Sequence, residues 1–247
     1  MPLLITAAFI GFFHTLVGVD HYIPFVALSK ANNWSLQKTN FIVFICGIGH
    51  ILGSVLLGMI GIALGTALTT LTGIENWRGD LAVWFLIAFG LVYSLIGLRR
   101  AYKKKPHSHF SPEGGVFEHK HSEFEHIHEH EGHIHFHRAH GEHDHEENRR
   151  GGSSINTFWM LFILFVLGPC EPLIPILMYP AAQADITLLI GVTVVFSAVT
   201  IGTMIAATTI VLKGVSLLPL KNLDRYSHVL AGCSIFLCGV AIMVFDI

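Results

Sequence analysis

Six stretches of the chain, about 3–27, 41–66, 80–98, 157–179, 186–212 and 226–245, run almost without interruption through apolar residues. Each approaches or exceeds the roughly 20 residues that a helix needs to cross a bilayer. Between the third and fourth the pattern inverts, and large apolar side chains nearly vanish. The expected organisation is a three-helix half over 1–100, a polar loop over 101–152 and a second three-helix half over 153–247. The fold class that follows is an all-α polytopic membrane protein with six transmembrane helices. The first stretch lacks the basic flank and small-residue cleavage site of a signal peptide, so it reads as a retained first helix.

The two halves echo each other. With Pro24 set against Pro175, Asp20 falls on Glu171, so each half opens with a helix carrying a carboxylate four residues before a proline. Gly-Ile-Gly-His50 in the second stretch matches Thr-Ile-Gly-Thr203 in the fifth. Three helices per half make the second half inverted relative to the first, and inverted repeats with interrupted helices meeting at mid-membrane are a recurrent transporter design.

Composition agrees with a membrane setting. Hydrophobic residues make up 52 % of the chain and charged residues 13 %, against about 25 % charged in ordinary soluble domains. Lys30 and Lys38 follow the first stretch, Arg99, Arg100, Lys103, Lys104 and Lys105 the third, and Lys213, Lys221 and Arg225 the fifth. By the positive-inside rule these connections are cytoplasmic and both termini face outward. A multi-pass inner-membrane protein with a cytoplasmic polar loop is expected. The connection before the third stretch carries Glu75, Arg78 and Asp80.

Histidine is the anomaly: 17 in all, 13 of them between His107 and His145, in a polar stretch that also carries ten acidic residues from Glu113 to Glu147. The segment FEHIHEHEGHIHFHRAHGEHDH spaces them mostly at every second or third position. Neutral imidazoles bind metals, but this spacing closes no fixed four-ligand site. His126, His128, His130, His133, His135, His137, His140, His143 and His145 are therefore candidate ligands of several weak, interchangeable sites. Such a composition buries too little apolar surface to offset ordering entropy, so no fixed fold is expected from about Lys105 to Arg149 without metal.

Inside the apolar stretches ionisable residues are few: His14, Asp20 and His21 in the first, His50 in the second, Glu171 in the fourth and His228 near the start of the sixth. A carboxylate at bilayer depth costs at least about 2.5–3.5 kcal/mol, so each needs a partner or a task. His14 and His21 are seven apart and would share one face of a regular helix. Pro24 should loosen the helix at Asp20 and free backbone oxygens. Imidazole with carboxylate suits nickel, cobalt or zinc. His14, Asp20, His21, His50 and Glu171 are thus the candidate metal ligands. Cys170, beside Glu171, is a lesser candidate, since small buried cysteines are common packing residues. His228, Cys46, Cys233 and Cys238 read as structural. No two cysteines form a CxxC pair, which speaks against a disulfide framework, a zinc ribbon or redox chemistry.

These residues resemble the nickel/cobalt transporters, both the permeases and the six-helix exporters and urease-accessory-like membrane proteins, within a larger group that includes lysine exporters and cytochrome c biogenesis proteins of the CcdA type. The resemblance rests on His14-Thr-Leu-Val-Gly-Val-Asp20-His21, Gly49-His50, IAFGLVYSLIGLRRA, LGPCEPLIP and the histidine-rich loop. The permeases carry four residues between the histidine and Asp-His; here five intervene. The resemblance implies a metal site at His14, Asp20, His21 and His50. LGPCEPLIP is also similar to the proline-flanked cysteine motif of the CcdA group. That thiol relay needs a partner cysteine in the matched helix, and Val19 stands there.

The expectation is a secondary transporter, not an enzyme, with the metal ion as cargo, protons as a possible coupling ion and no permanently bound cofactor. No GxxxxGK[ST] motif is present, so ATP is not expected to be consumed by this chain, and no nucleic-acid partner is expected. A cytoplasmic collecting loop favours export. The rival readings are a membrane metal sensor or metallochaperone, in which the loop is the active part, and an intramembrane metalloenzyme.

Overall fold

The structure, a computed structural model, describes residues 1–65, 68–103, 108–110, 116–118, 128–130, 133–135, 146–170, 172–217 and 226–245. Eight α-helices dominate: α1 Pro2–Val17, α2 Ile23–Ala31, α3 Leu36–Ala63, α4 Leu68–Lys103, α5 Glu146–Leu167, α6 Leu173–Ala182, α7 Ile186–Ser216 and α8 Ser227–Phe245. A 3-10 turn, Val19–His21, joins α1 to α2. Four of the helices, α3, α4, α7 and α8, are long and apolar enough to cross a membrane. The pair α1 and α2, bent by 83° at their junction, makes a fifth if it is one broken span.

The helix starts follow local chemistry. Ser35 caps α3 by accepting from the Lys38 amide at 3.2 Å, and Asp185 caps α7 by accepting from Leu188 at 2.9 Å, each satisfying an otherwise orphaned donor. Pro24 lies in the first turn of α2, where its missing amide proton costs nothing. It therefore starts a helix and does not loosen the interior of one. The apolar stretch 157–179 is likewise interrupted, with α5 ending at Leu167 and α6 starting at Leu173.

Two further boundaries differ from the sequence reading. Helix α4 begins at Leu68, twelve residues before the expected start, so Glu75, Arg78 and Asp80 are helical and not in a connection. Helix α5 begins at Glu146, inside the polar loop. In that loop, where no regular structure was expected, Ser108–Phe110 pairs with Val116–Glu118 and His128–His130 with His133–His135 as short antiparallel ladders. Val, Phe and Ile among these residues, with Gly114, Gly115 and Gly132 between the strands, supply β-formers and turn formers locally. The side chains of the loop histidines from His126 to His145, and Glu171, lie outside the described residues.

Glycine sets the closest helix contact. Gly90 of α4 faces the Phe236 backbone of α8, Gly232 of α8 faces the Ser94 backbone of α4, and Gly97 approaches His228. The two helices run antiparallel at backbone contact, as small residues permit where side chains would hold them apart. Two clusters fill the interior. One gathers Phe25, Val43, Leu86, Phe165 and Ile235, and the other Ala7, Ile51, Leu173, Val192 and Phe196. The outward faces are also apolar, with Phe9, Trp84, Val194 and Leu237 more than half exposed. Water would penalise so large an exposed apolar surface and lipid would not.

The glycine contacts make a stability prediction. Gly232→Ala should destabilise the protein by about 1–3 kcal/mol through overpacking. Gly202→Ala, where an added methyl meets nothing within 4 Å, should unfold at or slightly above the wild-type temperature, because alanine favours helix over glycine. Thermal unfolding in detergent compares the two; equal losses would show that α4 and α8 are not in backbone contact.

Candidate metal centre

The break after α1 begins at Gly18. Its amide donates to the His14 carbonyl at 3.0 Å, and its own carbonyl accepts from the His21 amide at 3.1 Å. A Cβ at residue 18 would lie 2.5 Å from His21 Nδ1 and 3.0 Å from Asp20 Oδ1, so only glycine leaves room for both side chains. The turn brings the His21 ring back to His14, with centroids 4.9 Å apart. The two histidines therefore meet across a break, not along one face of a regular helix, because the chain turns at Gly18. From α3, His50 approaches His21 with centroids 5.1 Å apart.

Two of the rings, His21 and His50, are held from behind. His21 Nδ1 lies 3.0 Å from both Asp20 Oδ1 and the Gly18 carbonyl. Both partners can only accept, so Nδ1 carries the proton and Nε2 presents its lone pair. His50 Nδ1 lies 3.2 Å from the Phe165 carbonyl and donates to it, with the same consequence for Nε2. The Nε2 atoms of His14, His21 and His50 are buried without a hydrogen-bond partner. One ligand atom from each ring lies within 4.8 Å of the others, a separation that one bound ion can bridge. Histidine ligands ordinarily hand their second nitrogen to a carboxylate or carbonyl, which fixes the tautomer and raises basicity. Asp20 and Phe165 are placed to do this, so Asp20 stands behind His21 and orients it.

A cavity of about 520 Å³ adjoins the three rings. The half-exposed Asp20 side chain, 39 % accessible, opens into it. Asp80 of α4 also lines it. Cys170, fully buried in the second apolar cluster, receives a backbone role: its amide donates to Ser54 Oγ at 3.1 Å. Its sulfur is not among the convergent ligand atoms. His228 lies apart from the cluster, its Nδ1 2.9 Å from Tyr93 Oη, and ties α8 to α4.

The sequence reading missed Arg78 and Glu75. Arg78 Nη1 pairs with the fully buried Glu75 Oε1 at 2.7 Å. Its Nη2 donates to the carbonyls of Val166 at 2.9 Å and Gly168 at 3.4 Å. Helix α5 stops here with its last carbonyls pointing onward, and a guanidinium suits that electronegative end. Gly53 makes the room, since a Cβ there would come within 2.8 Å of Nη2. An arginine flanked by carboxylates at i−3 and i+2, next to a long apolar run, was the available signal.

Two outcomes test this construction. Gly18→Ala should abolish metal binding with every ligand intact, read by titration of the full chain against a His50→Ala control that identifies the membrane component. Arg78→Met should destabilise the fold by about 3–5 kcal/mol, the usual cost of stranding a buried ionic partner. Adding Glu75→Leu should recover only part of that loss, because the α5 carbonyls still lack a donor; full recovery would show that Arg78 does not cap α5.

No protein-family model, curated protein or solved structure matches this chain, so the site is read from its own residues and geometry.

Proposed function

We propose that this chain is a secondary membrane transporter of a divalent transition metal ion, nickel, cobalt or zinc, akin to the nickel/cobalt transporters that its motifs resemble. The single observation that carries the reading is a cluster of three imidazoles beside a cavity, one ring nitrogen of each within 4.8 Å of the others and the Nε2 of each buried without a partner. Three neutral imidazoles and a cavity leave coordination positions open for water, as in metal sites that exchange ligands. Charge points the same way. The rings supply none and Asp20 supplies one negative charge through His21, so a dication keeps a net charge near +1 in the site. That suits cargo, which must bind well enough to enter and weakly enough to leave.

The architecture supported by the paired breaks is six spans in two inverted repeats. Gly18 ends α1 and Gly168 ends α5, and a proline stands early in the helix that follows each, Pro24 in α2 and Pro175 in α6. On this reading α5 with α6 is the counterpart of α1 with α2, and in the sequence Glu171 is the counterpart of Asp20. The positive-inside rule sets the histidine-rich loop on the cytoplasmic face of the inner membrane, where it collects metal for export. Protons are the natural coupling ion, because a histidine must be deprotonated to bind.

The same open cavity would also serve a metal centre that activates water, and flux separates the two. In proteoliposomes holding the full chain, nickel, cobalt and zinc flux should fall to background with His21→Ala or His50→Ala while the protein still inserts. The loop histidines should add to flux at low metal, and that contribution should fade as pH falls below about 6.5, the ordinary histidine value, since protonated imidazoles do not bind metal. Near wild-type flux from either variant would refute the proposal.

A further inference from the structure

The cavity beside the rings is also lined by the N-terminal part of α4, which contributes Asn76, Gly79 and Asp80. A second cavity of about 290 Å³ shares Asn76 and Pro172 with the first and adds Thr72. Thr72, Asn76 and Asp80 recur every four residues, so they form one polar stripe on α4, about 12 Å long at 1.5 Å per residue. The stripe runs along α4 towards Leu68, the end of that helix opposite Arg99 and Arg100.

Charge along this path is one-sided. Arg78, the nearby cation, is engaged by Glu75 and by the α5 carbonyls. Two carboxylates line the larger cavity, Asp20 from the α1 break and Asp80 from α4. The same cavity is lined by His21 and His50, residues only 3 % exposed whose buried Nε2 atoms have no partner. A cavity lined by carboxylates and by unpartnered imidazoles is matched to a cation that arrives hydrated and sheds water at the rings.

Resting on the transporter reading above, we propose that Asp80, with Asn76 and Thr72, is a staging site for the hydrated divalent cation between the three histidines and the Leu68 end of α4. Oxygen groups hold a hydrated ion through its waters, without entering its coordination sphere. Space suffices, since six waters at roughly 30 Å³ each occupy about 180 Å³. Carboxylates in a cleft with low-dielectric walls raise the local cation concentration and the association rate by about 10–10³, an effect that salt screens.

The test is stopped-flow binding of Co²⁺ to the detergent-solubilised full chain, followed by visible absorption. The membrane-site signal is the component that His50→Ala removes, which separates it from the loop histidines. Asp80→Asn should slow association about tenfold and flatten its dependence on ionic strength, with the spectrum of the bound ion unchanged. Asp80→Glu should restore both rate and salt dependence. Asn76→Leu should slow association while leaving the salt dependence, because it obstructs the stripe without changing charge. A wild-type rate and salt dependence in Asp80→Asn would overturn the staging site. An altered bound spectrum would also overturn it, by placing Asp80 among the ligands. Absence of any His50-dependent signal in the wild type would overturn the histidine site, and the staging site with it.

Discussion

A helix that stops inside an apolar interior leaves carbonyls that must find donors, and the end of α5 imposes this demand on its neighbours. Gly168 answers for Leu164, His50 for Phe165, and Arg78 for Val166 and Gly168. An unsatisfied backbone group in hydrocarbon costs several kcal/mol, so these bonds fix where α3, α4 and α5 meet. The same demand fixes chemistry. Because the Phe165 carbonyl accepts a hydrogen bond from His50 Nδ1, the opposite nitrogen is left as a lone pair on a ring that packs against His21. Satisfying a helix end and preparing a ligand are one interaction.

The break after α1 works by the same logic from the other side. Gly18 returns both of its backbone groups to the flanking histidines, and its carbonyl shares the His21 Nδ1 proton with Asp20. His21 and His50 thus each have a backbone carbonyl behind the ring, from Gly18 after α1 and from Phe165 near the end of α5. Tight glycine packing surrounds the site: a Cβ at Gly49 would press on Phe162 and Val166 at 2.9 Å, and one at Gly53 on Arg78. Functional sites need such support, since ligands held loosely lose their geometry.

What was legible in the sequence divides along physical lines. Long apolar runs announced α3, α7 and α8, because composition alone decides where a chain tolerates lipid. The candidate ligands His14, His21 and His50 stood out as rare ionisable residues in those runs, and the structure brings all three together. The route by which His14 meets His21 was not legible. Heptad spacing on an intact helix and a turn at Gly18 make the same sequence pattern, and only the collision a Cβ would suffer distinguishes them. Glu75, Arg78 and Asp80 resembled a polar connection because charge reads as solvent exposure until its partners are known. The Glu75 to Arg78 pair and the α5 carbonyls, 88 and 90 residues away in the chain, make a helix of that segment. Glu171 and the side chains of the loop histidines lie outside the described residues, so the sequence remains the source for their proposed roles.

The central claim is that three histidine nitrogens hold one divalent ion. Anomalous diffraction from crystals of the full chain grown with Ni²⁺, Co²⁺ or Zn²⁺, recorded at the absorption edge of the metal, locates bound ions independently of the loop. The account predicts one peak about 2.0–2.2 Å from Nε2 of each of His14, His21 and His50, at the end of the cavity lined by Asp20 and Asp80. Anomalous peaks confined to the loop, with the three rings empty at saturating metal, would contradict it.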